Sequence, residues 1–141
     1  MGILDTTLQQ LVEIDKNGFY SELIEKIKLE KSLGNLIRVL ADKVNGLNKK
    51  KFQKEYVESL ANEEIVALIR TLTKLDGNIK ILTLGSTSPI SSLVALLEER
   101  NYKDYADLVD WVFRNKTNDY LPFNSNKCWG VKSLKEYEDK R

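Results

Sequence analysis

The spacing of the apolar residues constrains this chain more than any other feature. Ile65, Leu68, Ile69 and Leu72 recur at steps of three and four, as do Leu33, Leu36, Ile37, Leu40 and Val44. The same step runs through Leu4, Leu8 and Leu11, through Tyr20, Leu23, Ile24 and Ile27, through Phe52, Tyr56 and Leu60, and through Ile90, Leu93, Val94 and Leu97. Tyr102, Tyr105, Ala106, Val109, Val112 and Phe113 make the longest stripe. A helical backbone brings such positions to one side, so each stripe predicts a helix with one buried face.

Turn chemistry falls between the stripes. Gly18 and Gly46 each follow an asparagine and suit the left-handed cap conformation, and "SLGN" at 32–35 and "LDGN" at 75–78 read the same way. "NEE" at 62–64 places Asn62 as N-cap, with acidic side chains facing the positive end of the helix dipole. "TSP" at 87–89 offers Ser88 as N-cap and Pro89 at the first helical position. Helices are expected to start near residues 3, 19, 33, 48, 62, 89 and 102, and the tail "KSLKEYEDKR" reads as a short polar helix with Leu134 and Tyr137 as its contact edge. Links this short force antiparallel neighbours. The predicted fold is all-α: a single domain over 1–141, with seven to eight short antiparallel helices packed as helical hairpins in a bundle or short α-solenoid-like stack. No repeat consensus extends beyond the hydrophobic pattern. "NIKILTLG" at 78–85 leaves helix, extended linker and strand open; its only plausible strand partner is "KCWGV" at 127–131.

Charge and composition narrow the function. The chain has 141 residues, enough for one domain with a real core. Its 22 basic and 21 acidic side chains leave a net charge of +1, evenly divided between the halves, so no global field favours nucleic acid or anionic lipid. No apolar run approaches a membrane span. The opening "MGILDT" fits the loose myristoylation pattern of Gly2 with Thr6, and one acyl chain anchors only weakly. The single cysteine, Cys128, cannot form an internal disulfide, which fits a reducing, cytoplasmic setting.

Histidine is absent. That removes Ser–His and Cys–His nucleophile–base pairs and, with one cysteine, nearly every zinc or other transition-metal site. The glycines are scattered singly, with neither a Walker-type loop nor G-x-G-x-x-G. No cofactor or metal is expected. The chemistry left open is carboxylate pairs among Glu98, Glu99, Asp104, Asp107 and Asp110, a Ser–Lys arrangement, or a bare cysteine. The acidic residues read as a solvated face, and Cys128 beside Lys127 as an apolar filler.

Two surfaces stand out. Trp111 lies about 200° around the last long helix from Val109, on the same side as Asp104 and Asp107. Either the C-terminal segment, with Tyr120, Phe123 and Trp129, folds back over it, or it forms an aromatic, acid-rimmed contact for a partner. "YLPFNSNKCWG" at 120–130 reads as a long ordered loop: Pro122 stops helix, Asn124, Ser125 and Asn126 supply a turn, and the aromatics pin it to the molecule. Residues 118–131 form that loop and 132–141 the tail. The second surface is basic: Lys43, Lys49, Lys50, Lys51 and Lys54, with no acid among residues 43–54 and no arginine for base reading.

The expected function is non-enzymatic protein–protein interaction, as an adaptor, regulator, inhibitor or immunity-type partner. Trp111, Asp104, Asp107, Tyr120, Phe123 and Trp129 are its candidate partner-binding residues. Nucleic-acid contact through the lysines is the alternative, and a histidine-independent enzyme the second alternative.

Overall fold

The structure is a computed structural model, and it describes residues 2–44, 51–76 and 88–140. Eight α-helices follow in order: α1 (Ile3–Asn17), α2 (Tyr20–Leu29), α3 (Lys31–Val44), α4 (Lys51–Ser59), α5 (Asn62–Leu75), α6 (Pro89–Glu99), α7 (Tyr105–Asn115) and α8 (Leu134–Lys140), with a 3₁₀ turn at Asn126–Cys128. There is no strand among the described residues, and no helix among them is long and apolar enough to cross a membrane. The all-α fold expected from the periodicity is the one observed.

α5 is the axis of the bundle. Ile65, Val66, Ala67, Leu68, Ile69, Leu72 and Leu75 are buried on more than one side of it, as a fully surrounded helix requires. α1, α2, α6 and α7 all pack on it, and α3 closes the far side against α1, α2, α4 and α6. Thr71 and Thr73 are buried within this helix, and their hydroxyls donate back to the carbonyls of Ala67 (2.7 Å) and Ile69 (2.6 Å). These two threonine hydroxyls are thereby satisfied within the core. Contacts between helices distant in sequence make this a bundle wrapped on one helix rather than a linear stack.

Helix ends follow the turn chemistry at two sites. Gly18 takes the left-handed conformation (φ 71°), and its N–H reaches the carbonyls of Ile14 and Asp15. Ser88 caps α6 by accepting from the Ile90 N–H at 3.2 Å, with Pro89 in the first turn. The cap of α5 is one residue earlier than expected. Ala61 is the N-cap and its N–H donates to Glu64 Oε1 (2.8 Å), which leaves Asn62 helical and free to accept from Arg100 (3.0 Å). Arg100 also donates to the carbonyls of Leu60 and Glu58, tying the end of α6 to the α4–α5 corner.

Two expectations are corrected here. Gly34 does not end a helix: α3 runs straight through it, and the glycine is buried where α2 passes close by. A Cβ at this position would lie 3.1 Å from Ile27 Cγ2. α7 starts at Tyr105 rather than near residue 102, because the turn after α6 passes through a left-handed Asn101 (φ 55°). The segment 78–85 lies outside the described residues, as does Gly46. Its supposed partner at 127–131 is a 3₁₀ turn and its continuation, not a strand.

Candidate functional site

The loop after α7 is held by every element around it. At its start, Lys116 Nζ donates to the carbonyls of Leu121 (2.9 Å) and Cys128, closing the loop on itself. Thr117 Oγ1 donates to the Asp76 carbonyl at the end of α5 (2.9 Å). Asn124 sits in the left-handed region (φ 52°), and its Oδ1 accepts from Ser91 Oγ of α6 (2.8 Å). Lys140 of α8 reaches the Trp129 carbonyl at 3.4 Å. Inside, Ser125 caps the 3₁₀ turn by accepting from the Lys127 N–H (3.1 Å), and Leu121, Cys128 and Val131 are buried. A long loop ordinarily moves; this one is hydrogen-bonded to the end of α5, to α6 and to α8. Burial lowers the pKa of the Lys116 ammonium, and the Cys128 thiol opposes that shift.

Two aromatic rings project from this scaffold. Trp129 is 50% exposed, and Tyr120 packs edge-on against it with centroids 5.6 Å apart and an interplanar angle of 82°. Phe123, three residues on from Tyr120, turns the other way. It sits edge-on to Phe113 at 5.9 Å and against Tyr137 of α8 at 4.7 Å.

Trp111 finds its cover elsewhere. Its ring lies 6.4 Å from that of Tyr20 on α2, and Lys74 Nζ of α5 stands 5.7 Å from its centroid. The expected fold-back of the tail over Trp111 is therefore corrected. α7 turns Trp111 toward α2 and α5, while the tail aromatics meet Phe113 or each other. Tyr20 donates to Asp15 Oδ1 (2.5 Å), and Arg70 pairs with Oδ2 of the same carboxylate at 3.3 Å. This cluster links α1, α2, α5 and α7.

The six candidate partner-binding residues thus fall into three groups by what they touch. Trp111 joins the Tyr20 cluster, with Asp104 and Asp107 exposed along its side of α7. Phe123 joins Phe113 and Tyr137. Tyr120 and Trp129 stand together on the loop. Of the lysine set, Lys49, Lys50 and the side chains of Lys51 and Lys54 lie outside the described residues. Lys43 is placed with its ammonium 4.0 Å over the Tyr56 ring. Among the acidic residues, Asp110 Oδ1 accepts from the Leu134 N–H (2.7 Å) and Glu98 Oε2 from the Tyr105 hydroxyl (2.8 Å). Cys128 is fully buried, as an apolar filler would be. Among the described residues no three metal-ligating side chains cluster. Lys116 matters to these sites but carries no sequence signal that sets it apart from other lysines; Tyr20 and Tyr137 fall on apolar faces in the sequence, with nothing to say which rings they meet.

Three phenols make stability pH-dependent. Burial raises the pKa of Tyr20, Tyr56 and Tyr105 above the ordinary 10.0, with hydrogen bonds to Asp15 and Glu98 adding to the first and last. A folded-state pKa above the unfolded one stabilises fully below pH 10 and loses that contribution as pH rises further. Lys116, lowered from 10.5, has the opposite sign: its contribution grows as pH rises toward that value. The phenols outnumber it. The urea midpoint should therefore be flat near neutrality and fall above about pH 10. Tyr20→Phe should flatten part of that fall. A midpoint still level at pH 11 to 12 would contradict the burial of these hydroxyls.

No family model, curated protein or solved structure matches this chain.

Proposed function

We propose that this protein is a non-enzymatic interaction module that binds another protein through the Tyr120–Trp129 platform. The observation that carries this reading is a half-exposed tryptophan on a loop hydrogen-bonded to three helices. Interface hot spots are enriched in tryptophan and tyrosine, because a large ring whose position is already fixed loses little entropy when it is covered. Leu29 is more exposed, at 84%, but it is an aliphatic side chain at a helix end with no comparable framework. Asp104, Asp107 and Trp111 serve as a secondary contact along α7 within the same reading.

Once a partner has been purified from the native cell, its affinity should be measured against the wild type and Trp129→Ala. Trp129 packs chiefly on Tyr120, so the variant should unfold within about 1 kcal/mol of the wild type. Its affinity should drop about thirtyfold or more, the loss typical of an anchor residue. Trp111→Ala, which strips a ring from the Tyr20 cluster, should instead cost stability first. Unchanged binding by Trp129→Ala would remove the platform from the interface.

A further inference from the structure

We infer that the hollow between α6, α7 and α8 is a binding site for an alkylated ammonium group. Its volume is about 340 Å³, and it is lined by Glu98, Tyr105, Phe123, Leu134, Tyr137 and Glu138. That is the small end of the range for ligand sites, suited to a compact head group. Three of the six lining residues are aromatic, two are carboxylates and none is basic.

The aromatic wall is built rather than incidental. Phe123 and Tyr137 lie 4.7 Å apart, inclined at 40°, and both rest on the fully buried Phe113 at 5.9 and 6.1 Å. Tyr105, from the start of α7, is fixed by donating its hydroxyl to Glu98 Oε2 at 2.8 Å. All three lining rings are half-buried, so solvent still reaches them. Burial, and then that bond to Glu98, raise the pKa of Tyr105, so the phenol stays protonated and keeps donating. Among the described residues, no cationic side chain forms an ion pair with Glu98 or Glu138.

The complement of two carboxylates without an ion-pair partner among the described residues and three aromatic rings is a cation. An ordinary ammonium is compact and strongly hydrated, and gives up much of that hydration on entering an aromatic hollow. An alkylated one gives up less and presents an apolar surface to the rings, which is how quaternary ammonium ligands are recognised. A larger groove of about 450 Å³ runs along α1 and α2, lined by Leu11, Ile14, Leu23 and Leu33 with Glu13 and Lys26 at its edge. It carries one charge of each sign over apolar walls and so selects no occupant. The cation site does not depend on Trp129, and either proposal can fail without the other.

The test is a titration of the intact chain followed by NMR. The probes are choline, 3,3-dimethylbutan-1-ol as its uncharged isostere, and a short peptide carrying trimethyl-lysine. Choline should give saturable shifts at the amides of Tyr137 and Glu138, and the isostere should bind about tenfold more weakly. The doubly substituted Glu98→Gln/Glu138→Gln chain, altered only at exposed positions and still able to accept from Tyr105, should keep a folded spectrum and lose about tenfold in choline affinity. A peptide that binds more tightly than choline identifies the source as a methylated protein; the reverse identifies a small metabolite. Equal binding of choline and isostere, or affinity unchanged by the double substitution, overturns the proposal.

Discussion

Phe113→Ala should cost about 4 kcal/mol of folding stability. The side chain is fully buried, and it is the meeting point of the C-terminal third of the chain. Its ring touches Phe123 of the loop and Tyr137 of α8, and Lys116 Nζ stands 4.9 Å from its centroid. Truncation leaves a cavity that α7 alone cannot close, because loop and α8 reach it from separate parts of the chain. A domain of this kind has roughly 5–15 kcal/mol in all, so the variant should sit near the edge of folding. In urea the midpoint should drop sharply with little change in slope. Phe113→Leu, which keeps most of the volume, should cost about 1.5 kcal/mol or less. A loss under about 1 kcal/mol for the alanine variant would mean that the tail does not dock on this residue.

Gly34→Leu should cost about 3 kcal/mol, and Gly34→Ala should stay within about 1 kcal/mol of the wild type. The contrast isolates the close approach of α2 and α3. A Cβ alone would stand 3.1 Å from Ile27 Cγ2, which a shift of a few tenths of an ångström relieves. Removing glycine from a helix interior also recovers about 1 kcal/mol, so the alanine effects offset each other. Leucine adds three more carbons where the helices touch, and α2 must move. α2 also carries Tyr20 onto Trp111. The displacement should therefore appear as a red shift of Trp111 emission, read in a Trp129→Phe background. Leucine tolerated at wild-type stability would contradict continuous packing of α2 on α3 at this point.

Gly34 also illustrates what the sequence conveys. Glycine is used both where a helix stops and where two helices approach closely, and residue type alone does not separate the two. The turn reading of "SLGN" therefore fails at Gly34, although Leu33, Ile37, Leu40 and Val44 keep one helical face across the glycine and all four are buried on α3. The helices themselves were legible because burial repeats at their own period. The character of the 120–130 loop was legible as well, since its turn formers and aromatics are local. What could not be read is which rings meet. Tyr20 and Trp111 are brought together by how α2 and α7 lie on α5, and no spacing encodes that. Phe123 and Trp129 looked alike in sequence, yet one rests on Phe113 and the other on the surface. Lys116 was one lysine among many until its ammonium was seen to close the loop.

The most direct test of the proposed platform is site-specific photo-crosslinking in the native cell. A photoreactive phenylalanine analogue would replace Trp129 in one chain and Val39 in another. Val39 is a fair control, since it is 48% exposed and lies on α3 rather than on the loop. A discrete protein adduct from position 129, with none from position 39, is the predicted result. The same adducts from both positions, or none from 129 while the chain is folded and abundant, would contradict it.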